Sequence, residues 1–351
     1  MTSDAGKHWK IVSAYSGIHF LVDFACAFLM FHSIAGTQNG YLCVLLYNFC
    51  AFAMQMPLGV IADKWNRNFL FALGGCVLVG FAFGTLQIPV LAVIICGIGN
   101  AMFHLGGGID VLNISAEKLG ALGVFVSPGA FGVYFGTILG TNAGKWSGFF
   151  IVLISLVLFA AAGLIFVLNL RRTQRGNYPY NSPFSLEGMN SGTSVIAAVC
   201  LFFVVCLRSY MGFALDFSWK STGYWSIALI CAVVFGKTIG GITADRFGVV
   251  RTTVFSLGLA GLLFLMPQVP IAGVTAMLLF NMTMPITLWA LAKIMPGAKG
   301  FAFGLLTFGL FLGFLPIYLN ITIMPDMFGQ YALIAALSLL ILRIGLWRIK
   351  R

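Results

Sequence analysis

The sequence predicts an all-α integral membrane protein of 12 transmembrane helices in two six-helix, pseudo-symmetric halves. Three observations predict it. The 351 residues are 60% hydrophobic and only 8% charged. A soluble domain carries about 25% charged residues, so this chain lacks the polar surface to cover a water-soluble globule. Its apolar runs are about 20 residues long, enough to cross a bilayer core of roughly 30 Å, and they do not alternate as barrel strands do. Finally, two charged hairpins read alike. The first is Gly59-Val60-Ile61-Ala62-Asp63-Lys64-Trp65-Asn66-Arg67, and the second is Gly241-Ile242-Thr243-Ala244-Asp245-Arg246-Phe247-Gly248, followed by Arg251. Each sets an acid four residues after a glycine, with bases behind it, between two long apolar segments. A doubled helical unit is the usual architecture of secondary transporters.

The spans follow in order. The first, 11–34, carries His19 and Asp23. The second, 41–61, runs into the first hairpin, and the third covers 69–86. The fourth, 89–113, contains Gly106-Gly107-Gly108, where three glycines can break or flex a helix and expose carbonyls to a cavity. The fifth, 119–142, holds Pro128, which permits a bend. The sixth covers 148–170. The longest connection, 171–193, is polar and rich in Asn, Ser and Gly. It divides an N-terminal bundle, 1–170, from a C-terminal one, 194–351. The seventh span, 194–215, carries Arg208, and the eighth, 222–243, enters the second hairpin. The ninth and tenth, 252–268 and 271–292, are split only by Pro267 and Pro270. Pro285 and Pro316 mark bends in the tenth and in the eleventh, 300–323; the twelfth is 329–347. Trp146, Trp219 and Trp347 lie near span ends, as interfacial anchors do.

Charge gives the orientation. Lys7, Lys10, Lys64, Arg67, Lys118, Arg171, Arg172, Arg175, Arg246, Arg251, Lys293, Lys299, Arg343, Arg348, Lys350 and Arg351 fall on the N-terminus, the even-to-odd loops or the C-terminus. The opposite loops hold Lys145 and Lys220. The positive-inside rule then places both termini in the cytoplasm of what is expected to be a bacterial inner membrane. The first apolar run is too long for a cleavable signal and lacks a small-residue cleavage site. A net charge of +11 is what many short cytoplasmic loops produce, and no nucleic-acid partner is expected. The eight cysteines lie in predicted helices without a CxxC pair and read as small packing residues. Neither cofactor nor metal is expected. No Walker loop and no HExxH occurs, so the chain reads as no enzyme and is not driven directly by ATP.

Twelve helices in two halves, with Gly-x-x-x-Asp-basic hairpins after the second and eighth, resemble the major facilitator superfamily over essentially the whole chain. The first hairpin departs from the family pattern at Asn66, where a glycine is usual, and at Asn68, where a second base is usual. The second keeps Gly248. The resemblance implies a cytoplasmic gate built from Gly59, Asp63, Arg67, Gly241, Asp245 and Arg246. An acid at a helix end can meet a neighbouring helix N-terminus, and its bases can pair across the seam between the two halves. Asp110 is a further candidate for that gate, whereas Glu117 reads as solvating a loop.

The fifth span carries Gly123-Val124-Phe125-Val126-Ser127-Pro128-Gly129-Ala130-Phe131-Gly132. It resembles the Gly-x-x-x-Gly-Pro-x-x-Gly-Gly signature of the family's antiporters, with Ser127 and Phe131 each replacing a glycine. That resemblance favours export. Gly17-Ile18-His19-Phe20-Leu21-Val22-Asp23, Ala101-Met102-Phe103-His104 and Leu207-Arg208-Ser209-Tyr210 together look like the fosmidomycin-resistance group. This narrower resemblance implies a proton-driven exporter of a drug or small metabolite. The arginine frequent in the family's fourth helix is absent here, which puts the usual antiporter proton route in doubt.

Ionisable groups inside a bilayer cost several kcal/mol, so their default reading is functional. His19 and Asp23 are spaced i,i+4 and share a helix face. A buried carboxyl is pulled between desolvation, which favours its neutral form, and a cationic neighbour, which favours its ionised form. Asp23 is thus the candidate proton carrier, with His19 as its partner or relay; the alternative is a structural pair. His104 is a candidate for proton relay or substrate contact. Arg208 keeps its charge and can fork a carboxylate, phosphate or phosphonate, so it binds an anionic substrate, neutralises Asp23 or makes a structural pair. Lys237 reads as snorkelling towards the cytoplasm, and Asp216 and Lys220 as surface groups. Tyr210 and Trp289 complete the candidate substrate site, and Tyr134 and Asn281 are further cavity candidates. The expected partners are protons, a small-molecule substrate and the lipid bilayer, and one chain suffices to enclose a pathway, so a monomer is expected. Two rivals remain open. One is an importer or uniporter of a small organic anion, and the other a non-transporting scaffold.

Overall fold

The computed structural model describes residues 2–115, 118–173, 183–323 and 329–349. Glu117, Lys350, Arg351 and residues 174–182 of the linker, Arg175 among them, therefore lie outside the described residues. Eleven helices among those described are long and apolar enough to cross a membrane. They are α1 (His8–Ile34), α2 (Gly40–Trp65), α3 (Asn68–Thr85), α4 (Pro89–Ile114), α5 (Leu119–Asn142), α6 (Gly144–Arg171), α7 (Gly192–Ala214) and α8 (Trp225–Phe247), and then α10 (Pro270–Ile294), α11 (Lys299–Tyr318) and α12 (Gln330–Ile349). The twelfth apolar helix, α9 (Val249–Leu263), is shorter. It occupies the expected ninth span and stops four residues before Pro267. No strand occurs among the described residues.

The helix ends follow from residue chemistry. Pro89 and Pro270 sit in the first turns of α4 and α10, where a missing N–H leaves no bond unmade. The tenth span does break at Pro285, because α10 has a turn between Asn281 and Met284. The fifth breaks at Ser127, just before Pro128. After the first hairpin's Asp63, the chain turns at Asn66, which is left-handed at φ 50°. Asn is one of the few residues with a Cβ that adopts this conformation readily, so the turn survives the absent glycine. After the second, Gly248 takes φ 90° and ψ 147°, a conformation essentially confined to glycine.

Two expectations fail here. The Gly106-Gly107-Gly108 run does not interrupt α4, which is continuous and buried through it. Its glycines serve packing instead: a methyl at Gly106 would collide with Asn68 and Ala72 of α3, and one at Gly108 with the Phe303 ring. Trp219 is no interfacial anchor. It is buried, stacked 4.6 Å from Phe217, and donates its indole N–H to the Pro267 carbonyl at 2.8 Å. Trp146 and Trp347 are exposed.

Contacts divide the chain into two compact units. Unit 1 holds residues 1–116, 128–184 and 297–304; unit 2 holds 117–127, 185–296 and 305–351. Helices α5 and α11 are thus shared by sequence, each giving its first turns to one unit and the rest to the other. In unit 1, α3 packs on α4 and α6, and α1 packs on the second part of α5. A small apolar cluster of Ala62, Phe71 and Ile109 sits between α2, α3 and α4. In unit 2, α8 packs on α10 and on the first turns of α5, while α7 and α9 pack on α12.

Glycine spacing explains the closest of these contacts. Gly129, Gly132, Gly136 and Gly140 line one face of α5 at steps of three and four. A methyl on any of them would meet α1, at Asp23 and His19, at the Phe20 and Phe24 carbonyls, or at the backbone of Phe28. Small residues are what allow helix backbones to approach in a membrane, where burial of apolar surface gives no drive.

Candidate functional site

Unit 1 gathers ionisable groups of its interior in one place. Asp23 Oδ2 lies 3.2 Å from His19 Nε2, one turn earlier on α1. Asp23 Oδ1 lies 3.6 Å from His104 Nε2 on α4. The two imidazoles face each other, Nε2 to Nε2, at 2.8 Å, with their rings nearly perpendicular. His104 Nδ1 is 2.8 Å from the Asn100 carbonyl. An acceptor there requires Nδ1 to carry a proton, which fixes the ring's orientation. The Asn100 amide donates to Asp23 Oδ1 at 3.0 Å.

The sequence permits this locally. His19 and Asp23 share a face at i,i+4, as do Asn100 and His104, so two helices each present a matched pair. Gly129 leaves bare backbone behind Asp23 Oδ2 and His19 Nε2, where any side chain would collide with both. The group is not sealed: 14% of the Asp23 side chain and 12% of the His104 side chain remain exposed. A carboxylate, two imidazoles and an amide can hold, share and pass a proton. Asn100 and Gly129 are the members that sequence reasoning missed. The spacing of Asn100 from His104 was the available signal.

Unit 2 is different. Arg208 of α7 is buried and donates from Nη1 to Thr287 Oγ1 of α10 at 3.3 Å. Thr287 uses its own hydroxyl proton on the Met284 carbonyl at 2.9 Å, so its oxygen is the acceptor. Arg208 has no carboxylate partner among the described residues. A buried guanidinium has five N–H donors, and with a hydroxyl on one of them it can still receive a planar anion.

The other substrate candidates are not gathered around Arg208. Tyr210 and Trp289 each lie two positions from Arg208 and Thr287 respectively, a spacing that points away around a helix. Trp289 instead lines a cavity of about 520 Å³ with Arg251, Lys293 and the α8–α9 turn. Lys293 Nζ stands 4.9 Å over its ring. Asn281 spends its amide on the Met277 carbonyl within α10, and Tyr134 packs edge-on against Phe135. Lys237 does not snorkel to an end of the bundle; it donates to the Val126 carbonyl at the break in α5. Asp216 is exposed as expected and pairs with the half-buried Lys220 at 3.0 Å.

The hairpin acids have one geometry, met twice. Within unit 1, Asp63 accepts from the backbone N–H groups of Gly300 and Phe301, each at 2.8 Å, at the start of α11. Within unit 2, Asp245 accepts from Leu119 and Gly120 at 2.9 and 2.8 Å, at the start of α5. Four residues before each acid, Gly59 and Gly241 abut Gly300 and Leu119 so closely that a methyl would collide with a carbonyl. The Gly-x-x-x-Asp spacing thus has a physical meaning. The glycine admits the neighbouring helix, and the acid one turn on takes its unsatisfied N–H groups and its positive dipole end. Arg67 and Arg246 are exposed with no carboxylate partner among the described residues, and Arg246 rests over Phe247 at 5.4 Å. Asp110 is fully buried inside unit 1, where the Tyr15 hydroxyl donates to it at 2.8 Å.

The fold has solved counterparts. The structure matches that of the major facilitator superfamily transporter FucP, in its outward conformation, with a TM-score of 0.62 and 13% identity over 97% of this chain and 98% of that one. The chain has the major facilitator fold. Another structure of the same protein, the E. coli fucose:proton symporter, matches with a TM-score of 0.68 at 13% identity, covering 97% of this chain and 99% of that one. A bacterial homologue of the iron transporter ferroportin, in its outward-facing state, matches with a TM-score of 0.69 at 14% identity, covering 98% and 100%. No protein-family model and no curated protein matches the sequence.

Proposed function

We propose that this chain is a proton-coupled secondary transporter that exports a small organic molecule by alternating access. The observation that carries the reading is the His19–Asp23–His104–Asn100 group, three titratable side chains and an amide joined inside the membrane-spanning part of unit 1. Such groups mark proton relays in pumps and transporters. Asp23 is the carrier and the two imidazoles are the relay. Arg208 anchors the substrate, which favours a carboxylate, phosphate or phosphonate. The antiporter-like α5 sequence favours export, and the short motifs shared with the fosmidomycin-resistance group favour a drug or metabolite. The positive charges favour cytoplasmic termini. Asp63 and Asp245 hold the hairpin ends in the present state, and transport would break and remake their bonds to helix N-termini.

A second reading has its own observation. Arg208 meets no acid among the described residues, which suits a uniporter or importer of a small organic anion without proton exchange. Reconstituted protein in liposomes with a trapped pH dye separates the two. Proton coupling predicts a compound-dependent pH change that disappears in Asp23→Asn. A compound that crosses with no pH change, equally in wild type and Asp23→Asn, selects the uniporter.

A further inference from the structure

The three titratable side chains of unit 1 also have the geometry of a metal site. Their ligand atoms all lie within 4.8 Å of one another. The three edges are 2.8 Å between the imidazole nitrogens, 3.2 Å from His19 to Asp23 and 3.6 Å from His104 to Asp23. Ligands bonded at about 2.0–2.1 Å to a tetrahedral ion stand about 3.3 Å apart, and the observed edges bracket that value. Two imidazole nitrogens cannot face each other at 2.8 Å with both lone pairs bare, so that edge holds either a hydrogen-bonding proton or a metal ion.

The surroundings suit a metal as well as a proton. His104 gives its other nitrogen to the Asn100 carbonyl, the arrangement that normally fixes a metal-bound histidine. The amide of the same asparagine steadies the carboxylate. Gly129 closes one side with backbone alone, and the partial exposure of Asp23 and His104 leaves room for a fourth ligand. Two imidazoles and one carboxylate select a first-row transition metal such as Zn²⁺, Co²⁺ or Fe²⁺. Mg²⁺ and Ca²⁺ call for oxygen ligands. No local motif signals the site, because its ligands come from two helices more than 80 residues apart.

We propose that His19, Asp23 and His104 form a binding site for a divalent first-row transition-metal ion. The site uses the same side chains as the proton relay, but its occupancy does not require transport. The test uses the full chain in detergent, with any affinity tag removed, titrated with Co²⁺ while its visible d–d absorption is followed. Wild type is expected to develop four-coordinate bands at about one equivalent, which Zn²⁺ bleaches. His19→Ala and His104→Gln should lose them, Asn100→Ala should weaken binding by about 10–100-fold, and His32→Ala should bind as wild type does. A rise in the melting temperature of wild type with Zn²⁺ but not with Mg²⁺ supports the site without any variant. No absorption at millimolar Co²⁺, or equal bands in wild type, His19→Ala and His104→Gln, would overturn it. If metal binding is absent while Asp23-dependent proton movement persists, the metal site fails and the transport reading stands. Metal binding without proton movement upholds the site and removes the proton relay.

Discussion

The two units place different chemistry at equivalent positions. In unit 1 the pair α1–α4 carries a carboxylate held by two imidazoles and an amide, so charge and countercharge lie within reach of each other. In unit 2 the pair α7–α10, three spans apart in the same order, carries a permanent cation held by the Thr287 hydroxyl. A self-compensating cluster can gain or lose a cation at modest cost, because its members share the change. An arginine without a carboxylate cannot lose its proton and can only be neutralised from outside. On the proposed function, the contrast is a division of labour in which one half exchanges cations and the other binds an anion.

Disrupting the cluster should have the greatest consequence. Removing one partner of a buried ion pair costs about 3–5 kcal/mol, so Asp23→Ala should lower the thermal stability of the purified protein strongly as well as abolish proton movement. Asp23→Asn, which keeps the Asn100 and His contacts in part, should abolish proton movement with a smaller loss of stability. If both variants move protons as wild type does, the cluster is structural only.

Next comes Gly129→Ala, which alters no ionisable group. Overpacking costs about 1–3 kcal/mol, and here the added methyl would press on Asp23 and His19. Proton movement should fall sharply. Gly148→Ala, where the space is open, should leave it unchanged. Equal activity in both would show that the close approach of α1 and α5 is unimportant to the site.

Arg208→Lys probes the anion side. It keeps the charge and loses the fork, so the apparent affinity for an anionic substrate should fall by about tenfold, the equivalent of about 1.5 kcal/mol for one charged hydrogen bond. An uncharged compound should be unaffected. A uniform loss for both would assign Arg208 to packing rather than to anion binding.

Smaller differences separate the two hairpins. Gly248→Ala forces a Cβ into a backbone conformation essentially closed to it and should cost about 1–3 kcal/mol. Asn66→Gly should be close to neutral, since Asn already adopts the left-handed turn and the entropic cost of glycine is at most about 1 kcal/mol. Melting curves of the two variants check this, and equal losses would contradict the distinct backbone roles of the two turns.

These hairpins are also where the sequence was most informative. Local spacing was enough to find Gly59, Asp63, Gly241 and Asp245, because glycine and acid act one helical turn apart. Composition and run length likewise sufficed for the helices, and i,i+4 spacing for the His19–Asp23 pair. What local patterns cannot carry is the meeting of distant segments. His104 was legible as a proton-relay candidate, but its direct contact with His19 and Asp23 was not. Gly106-Gly107-Gly108 has the composition of a break, yet α3 packed against it keeps the helix whole. Trp219 has the position of an interfacial anchor, yet Phe217 and the Pro267 carbonyl draw it inside. In each case a tertiary partner overrides a local tendency.

The division of labour is best tested by substrate-induced proton movement in proteoliposomes, measured side by side for wild type, Asp23→Asn and Arg208→Met against small drugs and organic anions. A compound-dependent pH change is expected in wild type, none for any compound in Asp23→Asn, and a loss confined to anionic compounds in Arg208→Met. Proton movement that survives in Asp23→Asn, or anion-driven movement undiminished in Arg208→Met, would refute the division.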